Sequence, residues 1–255
     1  MEQVYVWAAV GAIAAGFVQG LSGFAFGMVA MSFWVWTLEP RLTAALTVFG
    51  ALTGQIIAAL SVRRGFDWKL LLPFVLGGLA GVPLGVAVLP HLSMHWFKLL
   101  LGTLLVIWCP CMLFAGKLPR WKAGGRLGDA VAGMVGGVMG GIGGMTGAVP
   151  TLWCTLKGFD KDAQRAVIQN FNLSMLLVTM GTYLATGIVT RDMLPFFAIV
   201  APAMLVPTLL GAKLYVRLSE ARFRQMVLLL LTSSGIALMA SALPHFLGAR
   251  TLGQG

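Results

Sequence analysis

The sequence predicts an all-α integral membrane protein of two inverted repeats, each a broken or re-entrant glycine-rich segment followed by three transmembrane helices. Three observations support this fold class. Of the 255 residues, 58% are hydrophobic and only 10% are charged, whereas soluble domains carry about 25% charged residues. The chain also contains eight charge-poor apolar segments. Finally, features of its first half recur in the same order in its second half.

Most of the hydrophobic segments have the ~20 residues that one bilayer crossing requires. They are 3–38, 42–62, 70–94, 99–116, 130–156, 166–190, 193–212 and 225–247. No basic region precedes the first segment, so we expect it to be retained rather than cleaved as a signal peptide. Its 36 residues without a charge would make a helix of ~54 Å, against a hydrocarbon core of ~30 Å. Because the first and fifth segments are long and rich in glycine at their centres, we expect both to be interrupted.

These two segments are counterparts, because the chain repeats itself. At an offset of 121 residues, the aligned pairs are Gly16 with Gly137, Gly20 with Gly141, Ser22 with Gly143 and Gly23 with Gly144. After small gaps, "LSMHWFK" (92–98) falls opposite "LSEARFR" (218–224). We predict two homologous halves, 1–116 and 127–255, joined by a cytoplasmic linker, 117–126.

The distribution of Lys and Arg predicts the topology. If every segment crossed once, the 18 basic residues would divide nine against nine between the two sides. If segment five enters and leaves on the same side, 14 of them share one face, in the loops 63–69, 117–126, 157–165 and 213–224. The other face then holds only Arg41, Lys98, Arg191 and Arg250. Such a bias is typical of a cytoplasmic face. Segment one is assigned a hairpin because it repeats segment five.

Charge and motifs argue against several classes of function. The net charge of +10 is spread over short loops rather than one patch, so we expect no nucleic-acid partner. The sequence has no HExxH helix, GxSxG elbow or Walker loop. Cys109, Cys111 and Cys154 form no CxxC pair and are typical of small buried hydrophobes. We therefore expect no catalytic residue, no metal and no cofactor.

Polar side chains at membrane depth are costly unless they face a cavity or another helix. In the first half they include Gln19, Ser22, Thr47 and Gln55. In the second half, "GGVMGGIGGMTGAVP" (136–150) is followed by the amide-rich "QRAVIQNFNLS" (164–174). No Asp or Glu lies deep in a span, which disfavours a cation mechanism built on a buried carboxylate.

The eight glycines among residues 133–147 have two interpretations, and the two can hold together. Rows such as Gly133, Gly137 and Gly141 allow close helix packing. Alternatively, unwound backbone and a helix N-terminus offer free N–H groups to an anion without a fixed positive charge. Arg165, at the start of the amide-bearing helix, either steers an anion or belongs to the basic cytoplasmic face.

The predicted substrate site lies where the two interrupted segments meet helix 166–174. Its residues are Gln19, Gly20, Ser22, Gly23, Gly141, Gly143, Gly144, Thr146, Gln169, Asn170 and Asn172. Backbone N–H, hydroxyl and amide groups of this kind suit a small anion.

The glycine-rich segments "GFVQGLSGFAFG" (16–27) and "GGVMGGIGGMTG" (136–147), each followed by an acidic turn, resemble those of the TauE/SafE sulfite exporter family. The resemblance covers nearly the whole chain. It implies transport of small sulfur-containing anions, such as sulfite or sulfonates, across the bacterial inner membrane, often by proton coupling.

We therefore expect a multi-pass secondary transporter that works by alternating access within the lipid bilayer. A passive anion channel is the first alternative, because the same polar residues would line a pore. A membrane enzyme or assembly factor is disfavoured by the missing catalytic groups. These features are compatible with a homodimer as well as with a monomer.

Overall fold

A computed structural model describes residues 2–22, 25–61, 65–114, 124–214 and 220–251, and the regular structure in these ranges is helical throughout, without a strand. The ten α-helices of the described chain are α1 Glu2–Ser22, α2 Phe26–Trp34, α3 Pro40–Ser61, α4 Trp68–Val88, α5 Met94–Leu113, α6 Gly125–Gly143, α7 Ala148–Lys157, α8 Lys161–Ala185, α9 Leu194–Leu214 and α10 Glu220–Thr251. Most of the predicted linker 117–126 lies outside the described residues.

Six helical stretches of the described chain are long and apolar enough to cross a membrane, and two of them include a 3₁₀ turn next to α4 or α9. They are Gln3–Ser22, Pro40–Leu60, Trp68–His91, Met94–Leu113, Arg191–Leu214 and Gln225–Leu243. The two remaining predicted segments, 130–156 and 166–190, correspond to α6, α7 and the amide-bearing α8.

Each glycine-rich segment forms two helices separated by a short break. The first break, after Ser22, separates α1 from α2, and the second, at residues 144–147, separates α6 from α7. In both segments the second helix is short, with nine residues in α2 and ten in α7.

The short helix runs back along the long one in both segments. In the first, Nε1 of Trp34 at the end of α2 donates to the carbonyl oxygen of Ala8 in α1, at 3.2 Å. In the second, Nε1 of Trp153 in α7 donates to Asp129 in α6, at 2.8 Å. Because residues far before the break meet residues far after it, each segment is a helical hairpin.

Glycine allows the long helix of the second hairpin to pack directly on α4. A Cβ at Gly133, Gly137 or Gly141 would collide with backbone carbonyl oxygens of α4, and one at Gly81 or Gly85 would collide with those of α6. The two backbones are therefore in contact, which requires small residues every four positions on both helices. The packing interpretation of this glycine row is confirmed.

Glycine also allows the long helix of the first hairpin to pack directly on α9. A Cβ at Gly16 or Gly20 of α1 would collide with backbone atoms of α9, and one at Gly211 would collide with the carbonyl oxygen of Phe17. Gly16 and Gly20 are the residues that align with Gly137 and Gly141. The long helix of each hairpin thus packs most extensively on a helix from the other half of the chain.

Three side-chain hydrogen bonds assign the helix termini to two ends of the molecule. At one end, Arg41 at the start of α3 donates to the carbonyl oxygen of Pro90, which follows α4, at 3.4 Å. At the opposite end, Asn170 of α8 donates to the carbonyl oxygen of Gly65, which follows α3, at 3.0 Å. Lys157, at the end of α7, approaches Gly125 at the start of α6, so the second hairpin begins and finishes at one end.

Candidate functional site

The breaks of the two hairpins meet inside the molecule. Gly27 lies in the first turn of α2, and a Cβ added there would be 3.2 Å from the carbonyl oxygen of Gly144 in the second break. The same position would be 3.3 Å from the methyl group of Thr47 in α3. Gly144 in turn packs against Val48 of α3. The backbones of two helix breaks and one continuous helix therefore converge at one point.

The second break begins at Gly144, which has a φ of 71° and caps the end of α6. Its N–H donates to the carbonyl oxygen of Gly140 at 2.7 Å. Residues with a side chain rarely adopt this left-handed conformation, so glycine is needed where the chain leaves the helix. Pro150 lies in the first turn of α7, where its missing N–H costs no helical hydrogen bond.

The first break is held by two side chains of α1. The Oε1 atom of Gln19, which is only 3% exposed, accepts a hydrogen bond from the N–H of Phe26 at 3.0 Å. Ser22 Oγ accepts from the N–H of Ala25 at 3.2 Å and donates to the carbonyl oxygen of Val18 at 2.8 Å. Gln19 thus supplies the acceptor that the first N–H of α2 lacks within its own helix.

The second break is held by α8 and α5. The hydroxyl of Thr146 donates to Oδ1 of Asn172 at 2.9 Å, and both side chains are buried. A Cβ at Gly147 would be 2.7 Å from Nδ2 of the same asparagine. From α5, Nε1 of Trp108 donates to the carbonyl oxygen of Ala148 at 2.6 Å. Asn172 is therefore the amide of α8 that lies at the break.

The convergence point is rich in hydrogen-bond donors. The first N–H groups of α2 and α7 have no acceptor within their own helices, and both helices begin here. The hydroxyls of Thr47 and Thr179 are fully buried and have no hydrogen-bond partner among the described residues. Thr179 lies beside Gly140, where the methyl group of Thr146 also packs. Free hydroxyls next to two helix N-termini can donate to an anion.

The other predicted site residues make different contacts. Gly20 and Gly141 form the helix contacts described above, and Gly143 lies against Met31 of α2. Asn170 bonds to the carbonyl oxygens of Gly65 and Ala166. The structure leaves Gln169 half-buried and Arg165 exposed on α8. Gly23 lies outside the described residues.

An apolar cavity of about 210 Å³ adjoins the second break. Met145 of the break lines it, together with Met31 of α2, Met139 and Ile142 of α6, and Phe97 and three leucines of α5. The polar convergence point thus has an apolar space beside it.

The structure adds residues that the sequence prediction did not assign. Thr47 is a polar group at membrane depth that the prediction does not place in the site, and Thr179 is one of several hydroxyls that α8 carries after the amide-rich stretch 164–174, so the sequence does not distinguish it. Asp129 was missed because it lies just before the charge-free run 130–156. Among the described residues it is the one buried carboxylate, and it lies at the open end of the second hairpin. No cluster of three or more potential metal ligands occurs in the described ranges.

A family model described as "Sulfite exporter TauE/SafE" matches residues 8–238. The match runs from α1 into α10 and therefore includes both hairpins and the helices that hold them. No curated protein and no solved structure matches the chain.

Proposed function

The chain belongs to the TauE/SafE sulfite exporter family, and from this premise we propose that it is a secondary transporter that carries a small sulfur-containing anion, sulfite or an organosulfonate, by alternating access. Members of this family are transporters rather than enzymes. The direction that the family name indicates is export.

The observation that carries the proposal is the meeting of the two helix breaks. Gly27 and Gly144 are in close contact, and α2 and α7 both begin there, so the N–H groups of their first turns have no acceptor within their own helices. Among them, the N–H of Phe26 is bound by Gln19. Thr47, Thr146 and Asn172 surround the same point with hydroxyl and amide groups. Asp129, the buried carboxylate of the described chain, lies at the far end of the hairpin. An anion such as sulfite would be held by hydrogen bonds and helix dipoles instead of by a fixed positive charge.

Paired helix contacts support an inverted repeat. The order of features in the sequence equates α1 to α5 with α6 to α10. The contact of α1 with α9 then corresponds to that of α6 with α4, and the contact of α3 with α9 to that of α8 with α4. Broken helices at the interface of two such repeats place substrate near the bilayer midplane, where access can alternate between the two sides.

We assign the end that contains Gly65, Gly125 and Lys157 to the cytoplasm. The predicted topology puts at this end the loops that hold 14 of the 18 Lys and Arg residues, which is the bias of a cytoplasmic face. The second hairpin then enters from the cytoplasm and the first from the opposite side. The family implies a bacterial inner membrane as the location of the protein. It also implies coupling of export to protons.

Flux measurements on proteoliposomes test the proposal. We expect the wild-type protein to move sulfite against its gradient in the presence of a proton gradient, and we expect an uncoupler to stop this movement. A passive channel would equilibrate sulfite and would not respond to the uncoupler. Reconstituted, folded protein that moves neither sulfite nor a sulfonate would contradict the proposed function.

Substitution of Asn172 tests the site itself. Asn172→Leu removes the acceptor of the Thr146 hydroxyl and places an apolar group at the break, so we expect flux to be abolished while the protein remains in the membrane. The matched control is Ser174→Ala, because the Ser174 hydroxyl makes only a local bond to the carbonyl oxygen of Asn170. Normal flux in Asn172→Leu would remove Asn172 from the site.

A further inference from the structure

We propose that Asp129, Trp153 and Lys157 form the inner gate of this transporter, a polar latch that must open before the central site can be reached from the cytoplasm. The inference rests on the proposed function and assigns positioning residues to it. None of the three was part of the predicted site.

The latch closes the open end of the second hairpin. Nζ of Lys157 is 2.7 Å from Oδ1 and 2.9 Å from Oδ2 of Asp129. Nε1 of Trp153 donates to the same Oδ1 at 2.8 Å. The carboxylate thus joins two residues of α7, one turn apart, to the second turn of α6.

Burial makes this contact different from an ordinary surface ion pair. The side chain of Asp129 is 6% exposed and that of Lys157 is 18% exposed. The Lys157 ammonium also lies 5.3 Å from the ring centre of Phe159. Charges held this far from water are stable together, and either one is costly if left without its partner. The latch is therefore expected to be closed or fully open to water, rather than partly broken.

The first hairpin has a neutral latch at the corresponding position. Ala8 aligns with Asp129 at the offset of 121 residues, and it is the carbonyl oxygen of Ala8 that accepts from Nε1 of Trp34. Both hairpins are thus closed by a tryptophan of the short helix that reaches the same position of the long helix. Only the hairpin at the basic end adds an ion pair, which points to a gate specific to that face.

The short helix α7 links the latch to the site. Its ten residues form a rod of ~15 Å, with Ala148 next to the second break and Lys157 in the latch. Gln164 of α8 holds the same helix through Thr155, at 3.0 Å. Because a helix this short moves as one body, release of Lys157 would shift the end of α7 that carries the break.

Cys154 provides a native reporter for this opening. It follows Trp153 in α7 and is fully buried in the latched state, so a membrane-impermeant maleimide should label it slowly. The background variant carries Cys109→Ala and Cys111→Ala, which leaves Cys154 as the one thiol of the chain. Inside-out and right-side-out vesicles separate labelling from the two faces.

We expect Asp129→Asn and Lys157→Met each to raise labelling from the cytoplasmic face by about tenfold or more, as exposure of a buried thiol allows. The charge-swapped double variant, Asp129→Lys with Lys157→Asp, should return labelling toward the background rate. A loss of folding is distinguished by the side of labelling, because unfolded protein would expose Cys154 to both faces. The control is Asp162→Asn, which removes an exposed carboxylate at the same end and should leave labelling unchanged.

Two outcomes would overturn the gate. One is unchanged labelling in both single variants, and the other is an equal increase from both faces. Sulfite flux is measured on the same samples. If the latch variants change the labelling rate but the protein moves neither sulfite nor a sulfonate, the proposed function is contradicted and the gate is supported. Normal flux with unresponsive labelling would contradict the gate alone.

Discussion

At the scale of single residues, a few polar side chains stabilise the two breaks. Gln19 supplies an acceptor at the first break, and Asn172 accepts from Thr146 at the second. The amides of α8 could be recognised in the sequence because polar groups are rare in apolar segments. Which amide faces the break depends on how α8 rotates against its neighbours, so Asn170 was predicted together with Asn172 although it bonds to Gly65.

Replacement of Gln19 tests whether its amide stabilises the first break. Gln19→Leu leaves the N–H of Phe26 without its acceptor in a buried position, at a cost of about 1–3 kcal/mol in the free energy of unfolding. We expect a lower melting temperature of the purified protein in detergent. The control is Gln3→Leu, because Gln3 is exposed. Equal melting temperatures for Gln19→Leu and the wild type would show that the bond contributes nothing to stability.

At the scale of helices, glycine has two separate packing roles in the second hairpin. Gly137 and Gly141 bring α6 onto α4, whereas Gly136 and Gly140 on another face leave room for the break and α7. Glycines four residues apart predicted close packing, and this was correct. The partner helix could not be predicted, since a glycine row shows that something packs closely without showing what. Gly144 differs from the others because its left-handed conformation ends the helix.

The packing role predicts opposite effects for two glycine substitutions. Gly137→Ala places a methyl group against the carbonyl oxygen of Gly78, and overpacking of this kind costs about 1–3 kcal/mol. Gly181→Ala on α8 meets nothing within 4 Å, so it should be neutral or stabilise the helix by up to about 1 kcal/mol. Thermal unfolding in detergent compares the two variants. A melting temperature for Gly137→Ala equal to that for Gly181→Ala would rule out direct backbone contact between α4 and α6.

At the scale of the whole molecule, the two halves are interwoven. The long helix of each hairpin packs on a helix of the other half, and the breaks meet between α3 and α8. The repeat and the basic loops predicted two opposed hairpins from the sequence alone, because symmetry and loop charge leave a record in residue order. Which helix of one half packs on which helix of the other half leaves no such signal in the sequence. The burial of Asp129 could not be predicted for a related reason, since it depends on Trp153 and Lys157 folding back over this residue.

The orientation of the hairpins is tested by labelling single cysteines from each side of the membrane. Three exposed residues serve for this: Arg126 in the first turn of the long helix of the second hairpin, Asp162 after its short helix, and Thr190 between α8 and α9. Because α7 returns to the end where α6 begins, cysteines at 126 and 162 should react from the cytoplasmic face. A cysteine at 190 should react from the opposite face, since α8 is long enough to cross. Labelling of 126 and 162 from different faces would mean that segment five crosses the membrane, and both the hairpin and the 14-to-four division of basic residues would be wrong.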